Sequence, residues 1–383
     1  MNTGDGACCA NGAVPSNPDA DERVISRRHF ALAGAAWGLG GCDLLPDAAP
    51  RPAHKPADAQ LDAAAAREGA LRIDAVIEQH GVADFLDAFK RLYPAIAIEY
   101  HRPFSAELSP IYSQDAAAGR PTADILINSA MDLQFKFVND GLAASYASPE
   151  KAFLPEWAVW KDQAYAVTAE PIVFAYNRKL MPAGDVPRSH NELADLLRRK
   201  PDQYRGKIAT YDPERSATGY LYYTQDLMLS HDTLDLVQAA GRTQPCFYVS
   251  GVEALNKLSQ GEHLLAYNMV GSYMIERQMQ DPNIGIVFPS DYTLVMSRVA
   301  VIPRSARHPA AARLFLDFLL SELGQSLLAR RHMQPIRIGV PMDGATPPND
   351  VLRPIHFGPS LLANLDEYRR RRVLREWRRS FDS

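Results

Sequence analysis

Between residues 71 and 128 the sequence switches repeatedly between a strand period and a helix period, and no other feature restricts its fold as much. Residues 71–77 (LRIDAVI) alternate large and small side chains, because neighbours on an extended backbone point to opposite faces. Val82, Phe85, Leu86 and Phe89 then recur at helical spacing until Tyr93-Pro94, where the proline ends the helix. Residues 96–100 predict a second strand, another helix follows, and residues 123–128 (ADILIN) predict a third strand. Strand, helix, strand, helix, strand is the alternation of an α/β layer protein. Further on, residues 164–177 form a long extended run broken by Pro171, residues 207–211 and 263–268 predict strands, and residues 220–229 a helix. Residues 284–289 and 293–302 make a second long extended stretch. Pro309 stands where a helix begins, with Leu314, Phe315, Phe318 and Leu319 as its apolar face. Two crossing strands, near 165–177 and 284–302, would suit a bilobed molecule with two hinges.

Composition supports a folded chain of about two domains: 383 residues, 46% hydrophobic and 22% charged. A net charge of −4 argues against a protein built to hold nucleic acid. No uncharged apolar run reaches the roughly eighteen residues that a membrane-spanning helix needs. Near the start, Ser26-Arg27-Arg28-His29-Phe30-Ala31-Leu32 precedes a short Ala- and Gly-rich apolar stretch that ends Leu39-Gly40-Gly41-Cys42. Basic residues, a short apolar run and small residues in that order describe an export signal rather than a membrane anchor. The Arg27-Arg28 pair resembles a twin-arginine signal, and the ending resembles a lipobox, implying cleavage before Cys42 and lipidation of its thiol. Residues 1–41 are therefore expected to be a signal peptide, and residues 42–69, rich in Ala, Pro and Asp, a flexible tether. The expected location is the periplasm, with the lipid on Cys42 as the sole membrane attachment.

The segment 123–134 (ADILINSAMDLQ) with Val138-Asn139-Asp140-Gly141 resembles the first-lobe signature of periplasmic solute-binding proteins of ABC transporters, in their ferric-ion and phosphoglycerate-type branch. Residues 170–177 resemble that family's first hinge strand, residues 212–220 its ligand loop, 261–268 its second-lobe strand, and 309–325 its closing helices. The resemblance runs in order from about residue 71 to about residue 336. It implies an α/β, two-lobed periplasmic binding protein-like (type II) fold with a ligand cleft between lobes. Lobe 1 would comprise residues 70–167 and 290–383, and lobe 2 residues 168–289. It also implies a monomer that captures a small anionic solute and delivers it to an inner-membrane permease, or reports it to a membrane sensor kinase.

Several residues could hold such a solute. Ser216-Ala217-Thr218-Gly219 lies between a predicted strand and a predicted helix, where unpaired N–H groups and partial positive charge favour an anion. Ser and Thr hydroxyls add donors there, and Gly219 lets a ligand approach the backbone; alternatively Ser216 or Thr218 only caps the helix. Ser129 follows the third strand in the same manner, with Asp132 as a helix cap. His80 sits in the loop after the first strand, and strand C-terminal ends face the crevice in open α/β sheets, so it either supplies a donor there or is a solvated loop histidine. Asn268 and Tyr273 follow the second-lobe strand, where Asn offers donor and acceptor and Tyr273 either meets ligand or packs; Asp291 either binds ligand or braces the hinge.

A ferric ligand is the alternative. The resemblance implies paired tyrosines after the second-lobe strand for iron, but Asn268 is followed by Met269-Val270-Gly271-Ser272. Tyr222-Tyr223 point about 100° apart on a helix and suit packing better than chelation. An organic or phosphorylated anion fits better, and neither cofactor nor metal is expected. No Gly-x-Ser-x-Gly, Walker or dinucleotide motif occurs, so an enzyme such as a lipoprotein hydrolase is the weaker reading. Near the C-terminus, Arg369 to Arg372, Arg375, Arg378 and Arg379 predict a basic helix that touches anionic headgroups or packs on its own lobe.

Overall fold

A computed structural model describes residues 58–103, 105–120, 122–342 and 347–381. Arg27, Arg28 and Cys42, expected to serve export and lipidation, lie outside the described residues. Among the described residues, thirteen strands run in chain order: β1 (Ala70–Ala75), β2 (Ala97–His101), β3 (Ile125–Asn128), β4 (Val159–Trp160), β5 (Ala164–Ala166), β6 (Glu170–Asn177), β7 (Ile208–Tyr211), β8 (Cys246–Tyr248), β9 (Leu265–Val270), β10 (Ile284–Val287), β11 (Thr293–Met296), β12 (Val299–Val301) and β13 (Leu352–Pro354).

They form two sheets. The first has the order β2-β1-β3-β12-β5-β4, and the second β13-β11-β6-β9-β7-β8 with β10 paired to β6. β1 is parallel to β2 and β3, as the βαβ pattern requires, while β12 runs antiparallel to β3 and β5. β3 is buried along its whole length, which explains why its residues read as an apolar run rather than an alternation. Helix Gln79–Leu92 lays Phe85 and Phe89 against Phe315 and Phe318 of helix Pro309–Leu320, with ring centroids 4.7–5.6 Å apart. These edge-on and tilted contacts anchor the core beneath the first sheet.

The chain passes between the sheets three times: through residues 167–169, after β5, through Ser297 and Arg298, between β11 and β12, and once more between β12 and β13. The first two passages form crossing links bonded to each other: Val167 N donates to Arg298 O at 2.8 Å and Arg298 N donates to Thr168 Oγ1 at 3.0 Å. β11 and β13 both belong to the second sheet, although the sequence division groups residues 290–383 with lobe 1.

Part of the expected tether is ordered. Ala59–Glu68 is a helix with Asp58 as cap, Gly69 in the left-handed region at φ 69°, and Ala65 fully buried. Four consecutive alanines are strong helix formers, and Gly69 ends the helix where a side chain would be strained. Glu68 accepts from Ala310 N and Ala311 N at 3.1 and 2.8 Å, capping helix Pro309–Leu320 with a carboxylate. The C-terminal helix Glu367–Arg379 packs on the second-sheet side. Trp377 and Phe381 lie 5.0 and 5.2 Å from the Phe247 ring, and Arg378 is bonded to Glu214. No helix among the described residues is long and apolar enough to cross a membrane.

Candidate functional site

A cavity lies between the two sheets at the crossing links, with a volume of about 610 Å³ including its open mouth. Val76, Arg102 and Ser129 line it from the first-sheet side. Tyr211, Thr218, Ser250, Gly251 and Tyr273 line it from the second, and Met296 and Arg298 line it at the crossing. The lining comes from strand ends and the helices that follow them, where open α/β sheets place their crevices. Helices Met131–Asn139, Ala217–Leu229, Gly251–Ser259 and Gly271–Gln280 all begin at this cleft. The last two start without a side-chain cap bond, so their first N–H groups supply partial positive charge to the cavity. Gly251 is required for close approach: a Cβ there would stand 2.3 Å from the Tyr211 hydroxyl.

Arg298 dominates the electrostatics. Its side chain is fully buried and paired with Glu170, Nε to Oε1 at 2.7 Å. Burial opposes its charge, but Glu170 and Tyr273 hold its pKa above the ordinary arginine value. Arg298 lines the cleft and Glu170 does not, so the pair presents its positive end to the cavity. Arg102 adds a second guanidinium, paired with Glu78 at 2.7 Å. Among the described residues, none of those lining the cleft is acidic. Among the described residues, no group of three or more His, Cys, Asp or Glu side chains is placed to hold a metal ion.

The structure brings Ser129, Thr218 and Tyr273 together in this cleft. Ser216 lies just behind it, buried, with Oγ accepting from Gly219 N at 3.2 Å and 3.2 Å from Thr218 Oγ1, so it caps the helix. Gly219 faces away: a Cβ there would sit 2.6 Å from Tyr211 Cβ, so its small size serves packing against β7. Asn268 also lies outside the cleft lining. It adopts φ 59° where the β6–β9 register shifts, a left-handed conformation Asn tolerates at a bulge, and its side chain donates to Asp226 at 2.6 Å. Asp291 accepts from His190 N and meets His190 Nδ1 at 2.9 and 3.0 Å, and it is not among the residues that line the cavity. Burial would raise its pKa, but the contact with His190 brings it below the ordinary value. His80 is exposed and stands 3.9 Å from Glu276, beside a smaller recess. Asp132 does not cap from outside its helix; it lies buried in the first turn, where desolvation pushes its carboxyl up to about 7.

Sequence reasoning missed Arg102, Tyr211, Ser250, Gly251 and above all Arg298. Arg298 left a signal, as a single cation inside an otherwise uncharged extended run from 293 to 302. Ser250-Gly251 left only the ordinary mark of a helix start.

The sequence model of bacterial extracellular solute-binding proteins matches residues 120–354. A substrate binding protein of the ABC transporter from Agrobacterium tumefaciens is 31% identical, with 82% of this chain and 94% of that chain covered and a TM-score of 0.76. The periplasmic binding protein AfuA from Actinobacillus pleuropneumoniae, with exogenous fructose-6-phosphate bound, is 19% identical over 82% of this chain and 99% of that one, TM-score 0.67. Iron-bound HitA from Pseudomonas aeruginosa is 20% identical over 81% and 99%, TM-score 0.66. At those identities the latter two show the fold alone. A search of curated protein sequences returned no match. With two sheets joined at crossing links, a cleft between them, and a family match over most of the second sheet, the chain belongs to the bacterial extracellular solute-binding proteins, a family of binders rather than enzymes.

Proposed function

We propose that this protein is the solute-binding component of an ABC transporter and captures a small organic or phosphorylated anion in the cleft between its sheets. The observation that carries the reading is the lining: two guanidinium groups, hydroxyls from Ser129, Tyr211, Thr218, Ser250 and Tyr273, and no carboxylate. Helix N-termini and hydroxyls solvate phosphate or carboxylate oxygens. The lobes follow the two sheets and hinge at the crossing links, so closure would bring Ser129 and Thr218 onto one ligand. Delivery to a permease follows from kinship with the Agrobacterium protein. Export and anchoring through Arg27, Arg28 and Cys42, and a sensing role through a membrane kinase, belong to the same proposal.

The ferric alternative has one observation in its favour, since Tyr211 and Tyr273 both line the cleft. Two facts oppose it. Burial pushes the Tyr211 phenol up, which disfavours a phenolate, and the Arg298 cation beside Tyr273 repels a trivalent metal. The deciding experiment is mass spectrometry of small molecules that co-purify with the native protein, together with absorbance after loading with ferric citrate. An anionic organic ligand and a colourless protein support the proposal. A coloured tyrosinate complex, or a cationic or neutral ligand, refutes it.

A further inference from the structure

Arg298 touches more of the site than any ligand contact needs. Its guanidinium makes four bonds: Nε to Glu170 Oε1 at 2.7 Å, Nη1 to Val76 O at 2.6 Å, Nη2 to Glu170 Oε2 at 3.4 Å, and Nη2 to Tyr273 Oη at 3.1 Å. Its charge also stands 5.4 Å from the Tyr273 ring centroid. A guanidinium has no acceptor, so in this contact the tyrosine oxygen must accept, and its own hydrogen must be given elsewhere. Among the described residues no acceptor takes that hydrogen, and the Tyr273 side chain lines the cleft.

We propose that Arg298 is a positioning residue: it makes the Tyr273 hydroxyl an obligate donor toward the cleft, selective for a bare anionic oxygen on the solute. This deepens the anion reading above and rests on it. A phenol that already accepts from a cation is polarised into a stronger donor. A solute offering a hydroxyl hydrogen at that place meets no acceptor, whereas a phosphate or carboxylate oxygen meets a fixed donor. The same guanidinium is held by groups on both sides of the cleft. Glu170 begins β6 in the second sheet, and Val76 follows β1 in the first. A change in hinge angle moves the guanidinium relative to Tyr273, so the donor is correctly set over a narrow range of closure.

The test is calorimetric binding of inorganic phosphate and of fructose 6-phosphate. The proteins compared are the unsubstituted chain, Tyr273→Phe, the pair Glu170→Gln with Arg298→Gln, and all three substitutions together. Removing both members of the ion pair avoids a lone buried charge. Tyr273→Phe is expected to weaken binding by about tenfold or more, the pair by at least as much because the cleft also loses a guanidinium, and the triple variant to lose clearly less than the product of the two. Losses that multiply in the triple variant, or unchanged affinity in the pair, overturn the inference and leave the anion reading standing. Failure of the unsubstituted chain to bind either probe overturns both. If the pair fails to fold, Arg298→Lys decides the matter. Lysine keeps the charge but cannot fork between Glu170 and Tyr273, so its loss of affinity must vanish in the Tyr273→Phe background, and its persistence overturns the inference.

Discussion

Replacing Glu170 by glutamine should be among the most destabilising isosteric changes in this protein. Glu170 is completely buried and accepts from Arg298 Nε at 2.7 Å, from Thr168 Oγ1 at 3.0 Å and from Ser272 Oγ. At an effective dielectric near 20, unit charges about 4 Å apart attract by roughly 4 kcal/mol. The larger effect is what remains behind. The glutamine leaves the Arg298 guanidinium buried and uncompensated, and breaking a buried pair from one side costs about 3–5 kcal/mol. Total stability is only about 5–15 kcal/mol, so the change consumes a large fraction of it. Urea unfolding followed by circular dichroism measures it as a lowered midpoint at nearly constant slope. Glu170→Gln combined with Arg298→Gln should regain much of the loss, because no lone charge stays buried. A single variant within about 1 kcal/mol of the unsubstituted chain would refute the reasoning, as would a double variant less stable than the single.

Two further outcomes are expected. Asp132 has its carboxyl raised from 3.8 to about 7 by burial, so the folded state holds that proton more tightly than the unfolded state. Stability from this group therefore falls as pH rises from about 4 to about 7. Asp132→Asn should gain on the unsubstituted chain at pH 8 relative to pH 4 in paired thermal melts; parallel profiles would contradict the assignment. Ser216→Ala should lower stability by about 1 kcal/mol through loss of the cap while leaving phosphate affinity nearly unchanged, and Thr218→Ala should do the reverse. Calorimetry and urea melts on both variants check this separation, which fails if Ser216→Ala carries the greater loss of affinity.

Local pattern carried much of the architecture. The predicted strands at 71–77, 96–100 and 123–128 appear as β1, β2 and β3, and the helix expected over 220–229 begins three residues earlier, at Ala217. Tyr222 and Tyr223 are buried in packing, as their adjacency on one helix suggests. The 42–69 segment shows where composition misled. Its alanines read as a tether because they are small, yet Ala65 and Leu61 have helix Pro309–Leu320 to pack against. The candidate site was legible only where residues sit at strand-to-helix junctions, as Ser129 and Thr218 do.

The sequence by itself determined the alternation of strands and helices, the places where helices start, and two long extended runs. Those properties depend on neighbours within a few residues. Only the tertiary structure decided which junctions share a cavity and which turn away. It seated Arg298 against Glu170, 128 residues earlier, and against Val76, 222 residues earlier. A buried charge is tolerable only when distant parts of the chain converge to compensate it, and that convergence is a property of the fold.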